Sequence, residues 1–79
     1  LFIANDEIHW IRSDIKMQLD ESRTYLVRIR YRQPLQEARL IKKEKGLYIV
    51  FDNLQRGIAP GQFAAWYDGD ELIGSGVIS

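Results

Sequence analysis

Along residues 24–31 the chain alternates, with Tyr25, Val27, Ile29 and Tyr31 on one parity and Leu26, Arg28 and Arg30 on the other; Arg32 continues the second set. A period of two is that of a strand with one buried face. Pro34 lacks a backbone donor and biases Gln33 toward extended geometry, so this strand ends or bends there, and residues 37–43 read as the next one. Lys42-Lys43-Glu44-Lys45-Gly46 is a polar stretch closed by glycine, after which Leu47, Ile49 and Phe51 alternate with Tyr48, Val50 and Asp52 to complete a hairpin. Asp52-Asn53 and Gly57 punctuate the following connection. Pro60-Gly61 suits the two central positions of a type II turn, where Pro fixes the first φ and Gly supplies a positive second one. A strand over 62–67, a tight turn at Asp68-Gly69 or Gly69-Asp70 and a last strand over 71–78 finish the pattern, with Gly74 and Gly76 marking a bend or a close backbone approach. Residues 8–11 read as a further short strand. Residues 13–22 fit either a helical turn capped at Ser13-Asp14, with Ile15 and Leu19 on one face, or a polar connector.

Five or six short strands with no long helix predict an all-β fold, a small antiparallel barrel, closed or partly open, because rolling a sheet buries its inner row and removes exposed edges. Residues 1–23 form a lead-in and residues 24–79 the barrel, as one domain. With 79 residues the core is small, since a chain of this size buries only about 60% of its unfolded surface. There is no cysteine, so neither a disulfide nor a thiolate zinc site reinforces it. A start at Leu1 rather than Met suggests a piece of a longer protein. No apolar run approaches the roughly 20 residues that span a bilayer, so no membrane is expected as a partner.

Net charge is zero, which gives no global field toward nucleic acid. The charge is unevenly distributed, however. Residues 23–39 hold five arginines (Arg23, Arg28, Arg30, Arg32, Arg39) against the single acid Glu37, whereas Asp68-Gly69-Asp70-Glu71 is an acidic tip. A local basic stripe on a neutral body is thereby possible.

Three segments in this order and spacing carry a resemblance: Val27-Arg28-Ile29-Arg30-Tyr31-Arg32 followed by Pro34; Phe51-Asp52-Asn53-Leu54-Gln55-Arg56-Gly57-Ile58-Ala59-Pro60-Gly61-Gln62; and Trp66-Tyr67-Asp68-Gly69-Asp70-Glu71-Leu72-Ile73-Gly74-Ser75-Gly76-Val77-Ile78. With Trp10 ahead of them, they resemble the C-terminal domain of tRNA 2-thiouridylases, which place sulfur on the wobble uridine of certain tRNAs. Gly57 stands where Ala is usual, Ser75 interrupts a common triple glycine, and Leu35 replaces a second proline. The resemblance implies a barrel like the second domain of translation elongation factors, lying alongside tRNA, in the cytoplasm. It also implies a parent enzyme whose catalytic domain uses ATP and magnesium to adenylate the uridine and takes sulfur from a donor protein through a cysteine. This chain has no nucleotide-cradling loop and no cysteine, so no catalytic residue, cofactor ligand or metal ligand is assigned to it.

Arg28, Arg30 and Arg32 are the sharpest candidates for RNA contact. Residues two apart on a strand project to one face about 6.6 Å apart, and guanidinium groups fork onto phosphate oxygens. The plainer reading is a solvated sheet face with arginines paired to Glu37 or Asp52. Gln55 and Arg56 stand at a turn, as nucleotide contacts or as braces for the 57–61 bend. Lys42, Lys43 and Lys45 suit an ordinary exposed turn, and Asp68, Asp70 and Glu71 lack a calcium-loop pattern. His9 is alone, and Trp10, Tyr48, Trp66 and Tyr67 are better suited to core or interface than to base stacking. The rival to RNA contact is a docking module that packs on the parent's catalytic domain.

Overall fold

The computed structural model describes residues 1–29, 34–53, 55 and 57–79. Seven strands form one antiparallel sheet: β1 (Phe2–Ala4), β2 (Ile8–Trp10), β3 (Ser22–Arg28), β4 (Gln36–Lys43), β5 (Gly46–Phe51), β6 (Phe63–Asp68) and β7 (Glu71–Val77), in the order β1-β5-β4-β3-β6-β7-β2. The expected all-β class is what the chain adopts. The strand count exceeds the expected five or six because Phe2–Ala4, too short to display a period, pairs with β5 through Phe2↔Tyr48, Ile3↔Leu47 and Ala4↔Gly46.

The hydrogen-bonded ladder is open between its edge strands β1 and β2. A one-turn 3-10 helix, Asn5–Glu7, links those edges, and Ser79 N–H donates to the Phe2 carbonyl at 3.0 Å, so the C-terminal end of the sheet folds back onto its first strand. This rolling gives one inner face. Ile3, Val27, Leu40, Leu47, Ile49 and Trp66, contributed by five strands, are almost wholly excluded from solvent. The period of two explains the set: Val27 and Ile29 point inward, and Ala38 and Leu40 do the same on β4. The strand expected over 24–31 runs Ser22–Arg28, and its distal end at Arg30 and Tyr31 lies outside the described residues.

Two glycines of β7 make the close approaches their positions suggested. A methyl on Gly74 would lie 2.7 Å from the Trp66 Nε1, and one on Gly76 would lie 2.7 Å from Ile3 Cγ2 and 2.8 Å from the Glu7 carbonyl. Trp66 can therefore lie flat on the β7 backbone, with Trp10 edge-on to it at a centroid distance of 5.6 Å. Between the pairs Trp66↔Gly74 and Tyr67↔Leu72 the extra residue on β7 is Ile73, a bulge whose side chain is buried.

The turns follow their residues. Gly61 has φ 94, and Gln62 N–H donates to the Ala59 carbonyl at 3.3 Å, as a type II turn at Pro60-Gly61 requires. Gly69 has φ 60 and opens the two-residue loop between Asp68 and Glu71. Of the two alternatives for residues 13–22, a 3-10 turn forms at Ser13–Ile15, without a shared Ile15/Leu19 face. Leu19 is 61% exposed, and Met17 enters the core instead, because a single 3-10 turn followed by extended chain does not keep a helical period.

Candidate nucleic-acid interface

Antiparallel order brings two connections to one end of the sheet. β3 ends at Arg28, β4 begins at Gln36, β5 ends at Phe51 and β6 begins at Phe63, with Arg28 opposite Ala65 and Val27 opposite Gln36. The β3–β4 and β5–β6 connections therefore leave from the same end, with Arg28 closing β3 and Gln55 in the β5–β6 connection. Side chains join them: Gln55 Nε2 donates to Gln36 Oε1 at 2.8 Å and to the Asn53 carbonyl at 3.1 Å. Arg30, Arg32 and Arg56 lie outside the described residues. The Asp68–Glu71 hairpin is at the opposite end, together with the β4–β5 turn and its lysines.

Arg28 projects from the outer face of β3, as the alternation with buried Val27 requires. It is half-buried, its guanidinium carbon stands 5.8 Å from the centroid of the Tyr67 ring on the neighbouring β6, and its Nε is shielded from solvent without a hydrogen-bond acceptor. Guanidinium–aromatic contacts are worth about 0.5–1 kcal/mol at exposed sites and more where they are desolvated. Among the described residues the ion pairs are Arg12 with Asp14 and Glu71, Arg23 with Glu21, and Lys43 with Asp20. None uses Arg28 or Arg39, so the pairing with Glu37 or Asp52 that the plainer reading invoked is not made by either.

Arg23, the first arginine of the basic segment, serves the fold. Its guanidinium donates to Glu21, to the Ile15 carbonyl at 2.6 Å and to the Tyr25 hydroxyl at 3.0 Å, which ties the 13–21 connector to β3. The Gln18 backbone N–H and the Arg23 guanidinium hold the Glu21 carboxyl below the usual carboxylate range. Lys43 reaches Asp20 at 3.0 Å, a surface pair that leaves the lysine turn in the ordinary role its sequence suggested. His9 sits on β2 with no group of three or more metal-ligating side chains around it or elsewhere among the described residues. Sequence reasoning missed Gln36 as the partner of Gln55, and it placed Tyr67 in core or interface without pairing it to Arg28. Both lie far along the chain from the residues they hold, and only the strand register brings them close.

The sequence profile of the aminomethyltransferase β-barrel domain family matches residues 2–78. The chain is 56% identical over all 79 residues to a tRNA-specific 2-thiouridylase of Christiangramia forsetii and 52% identical over the same length to that of Flavobacterium johnsoniae. A third such protein, from Karelsulcia muelleri, is 44% identical over 78 residues, or 98% of this chain. In each case the chain spans only 20% of the relative's length, its C-terminal fifth in the first two. The seven-stranded rolled sheet and a match that leaves out only the two terminal residues agree, and the chain belongs to the aminomethyltransferase β-barrel domain family, in the form that tRNA-specific 2-thiouridylases carry.

Proposed function

We propose that this domain is the RNA-contacting, non-catalytic barrel of a tRNA-modifying enzyme that 2-thiolates the wobble uridine in an ATP-dependent reaction. The observation that carries the reading is identity of 52–56% over the whole chain to proteins named tRNA-specific 2-thiouridylases. Within the domain, the end from which the β3–β4 and β5–β6 connections leave faces the RNA, and Arg28, Arg30, Arg32, Gln55 and Arg56 are the contacting residues. Arg28 and its neighbours meet phosphates, and the loop of Gln55 and Arg56, braced on Gln36, flanks them. Contacts of this kind set the position of an RNA without reading its sequence. Catalysis belongs to the parent's other domains: with no cysteine in the chain, sulfur transfer from a donor protein has no acceptor here, and ATP and magnesium act elsewhere in the polypeptide, in the cytoplasm. Ultraviolet crosslinking of full-length protein to its tRNA, followed by peptide mapping, tests the assignment. Crosslinks within residues 28–36 and 53–58 are expected, and crosslinks confined to other domains would refute it.

The second reading, a module that docks on the rest of the parent, is favoured by a different surface, the outer face of β6 and β7. The two surfaces meet at Arg28, which lies over Tyr67 and stands opposite Ala65.

A further inference from the structure

β6 is apolar on both faces. Ala64 and Trp66 point into the core, and Phe63, Ala65 and Tyr67 point outward. Across the ladder on β7, Val77 stands opposite Phe63, Ser75 opposite Ala65 and Leu72 opposite Tyr67. An antiparallel sheet with one face in water alternates apolar and polar side chains, as the first half of β4 does with Glu37 and Arg39 outward beside inward Ala38 and Leu40. β6 breaks that rule, and in this domain it leaves Phe63 64% and Leu72 36% exposed. A contiguous apolar patch of this sort marks a contact surface.

Charge decides what covers it. Among the described residues the cations at its border are Arg28, already laid on Tyr67, and Arg12, paired with Glu71, and the far end runs into the acids Asp68, Asp70 and Glu71. The face itself, made of Phe63, Ala65, Tyr67, Leu72, Ser75 and Val77, carries no cation to receive a phosphate, and its far end is acidic, so an apolar protein surface is the occupant that fits. The chain is one fifth of the length of its relatives, and in them the other four fifths lie ahead of it. A surface on the same polypeptide is held at an effective concentration of the order of millimolar, above that of most separate partners. We infer that the outer face of β6 and β7, centred on Phe63, Ala65 and Tyr67, is the seat of the polypeptide that precedes this domain. The inference rests on the reading that the domain is part of a longer enzyme, and it does not depend on the tRNA contact.

The test uses the full-length protein without tRNA. A photo-crosslinking benzoylphenylalanine at Phe63, an aromatic exchange at an exposed site, should give crosslinks within one chain to residues ahead of Leu1. Crosslinks between chains that fade on dilution would make a second copy the occupant, and crosslinks that form only when tRNA is added would make it RNA; either result, or no crosslink, overturns the inference. Hydroxyl-radical oxidation of the unsubstituted protein, normalised to the urea-unfolded chain, gives a reading that needs no variant. Phe63 should lose its reactivity to the level of buried Trp66, and Phe63 reacting as a mostly exposed side chain would overturn the proposal.

Discussion

Replacing Gly74 with alanine is a small change with a large expected effect. The added methyl would lie 2.7 Å from Trp66 Nε1 and 2.8 Å from Cε2 and Cζ2. Neither side can yield easily: the indole is fully buried and Trp10 packs edge-on against it, while Gly74 is fixed by pairing to both Trp66 and Trp10. Forcing one extra carbon into a packed core costs about 1–3 kcal/mol. At about 2.1 cal/mol/K per residue, unfolding 79 residues carries an entropy near 0.17 kcal/mol/K, so the melting temperature should fall by about 6–18 °C. Circular dichroism melts of the wild-type and variant chains measure this directly. Trp66→Phe removes the ring atoms that the methyl strikes, so the double variant should be less destabilised than the sum of the two single ones. A Gly74→Ala chain that melts within a degree or two of wild type, or a strictly additive double variant, would refute the packing of Trp66 on β7.

Gly61→Val should destabilise by about 1–3 kcal/mol through backbone strain at φ 94 alone, because no atom lies within 4 Å of the added carbon; an unchanged melting temperature would remove the type II turn. Glu21→Gln probes the brace on the connector. Because the folded carboxyl is held below its ordinary range, its contribution is present at neutral pH and is lost as pH falls through the lowered folded value. The wild-type and Glu21→Gln melting curves should therefore differ at pH 7 and converge in acid, and a difference that persists at pH 2 would show that the carboxylate charge is not the cause. Met17→Ala should cost about 2–5 kcal/mol as a buried truncation whereas Leu19→Ala should cost little, and urea titration showing the reverse order would restore the helical face over 13–22.

β3 and β5 were legible from their period, Val27 and Ile29 or Leu47 and Ile49 against outward neighbours, whereas β6 and β7 were legible from the turns at Pro60-Gly61 and Gly69 that bound them. β1 was not, since Phe2-Ile3-Ala4 offers three residues without alternation and its strand character comes from pairing with Gly46 to Tyr48. The burial of Met17 was not legible, because a segment with one 3-10 turn followed by extended chain keeps neither a helical nor a strand period. In the candidate interface, the outward direction of Arg28 follows from local alternation. Its place over Tyr67, and the Gln55 amide closing on Gln36, depend on register between strands about 20 to 40 residues apart, which a sequence read locally does not carry.

The salt dependence of tRNA binding by the full-length protein tests the central claim most directly. With Arg28→Ala and Arg30→Ala together, affinity should fall alike for cognate and non-cognate tRNAs, and the slope of log K against log salt should drop by about one unit per lost phosphate contact. The melting temperature should change little, since Arg28 contributes only a guanidinium–aromatic contact to the fold. If the double variant keeps its affinity and slope while its melting temperature falls, these arginines serve the barrel itself, and this end of the domain does not face RNA.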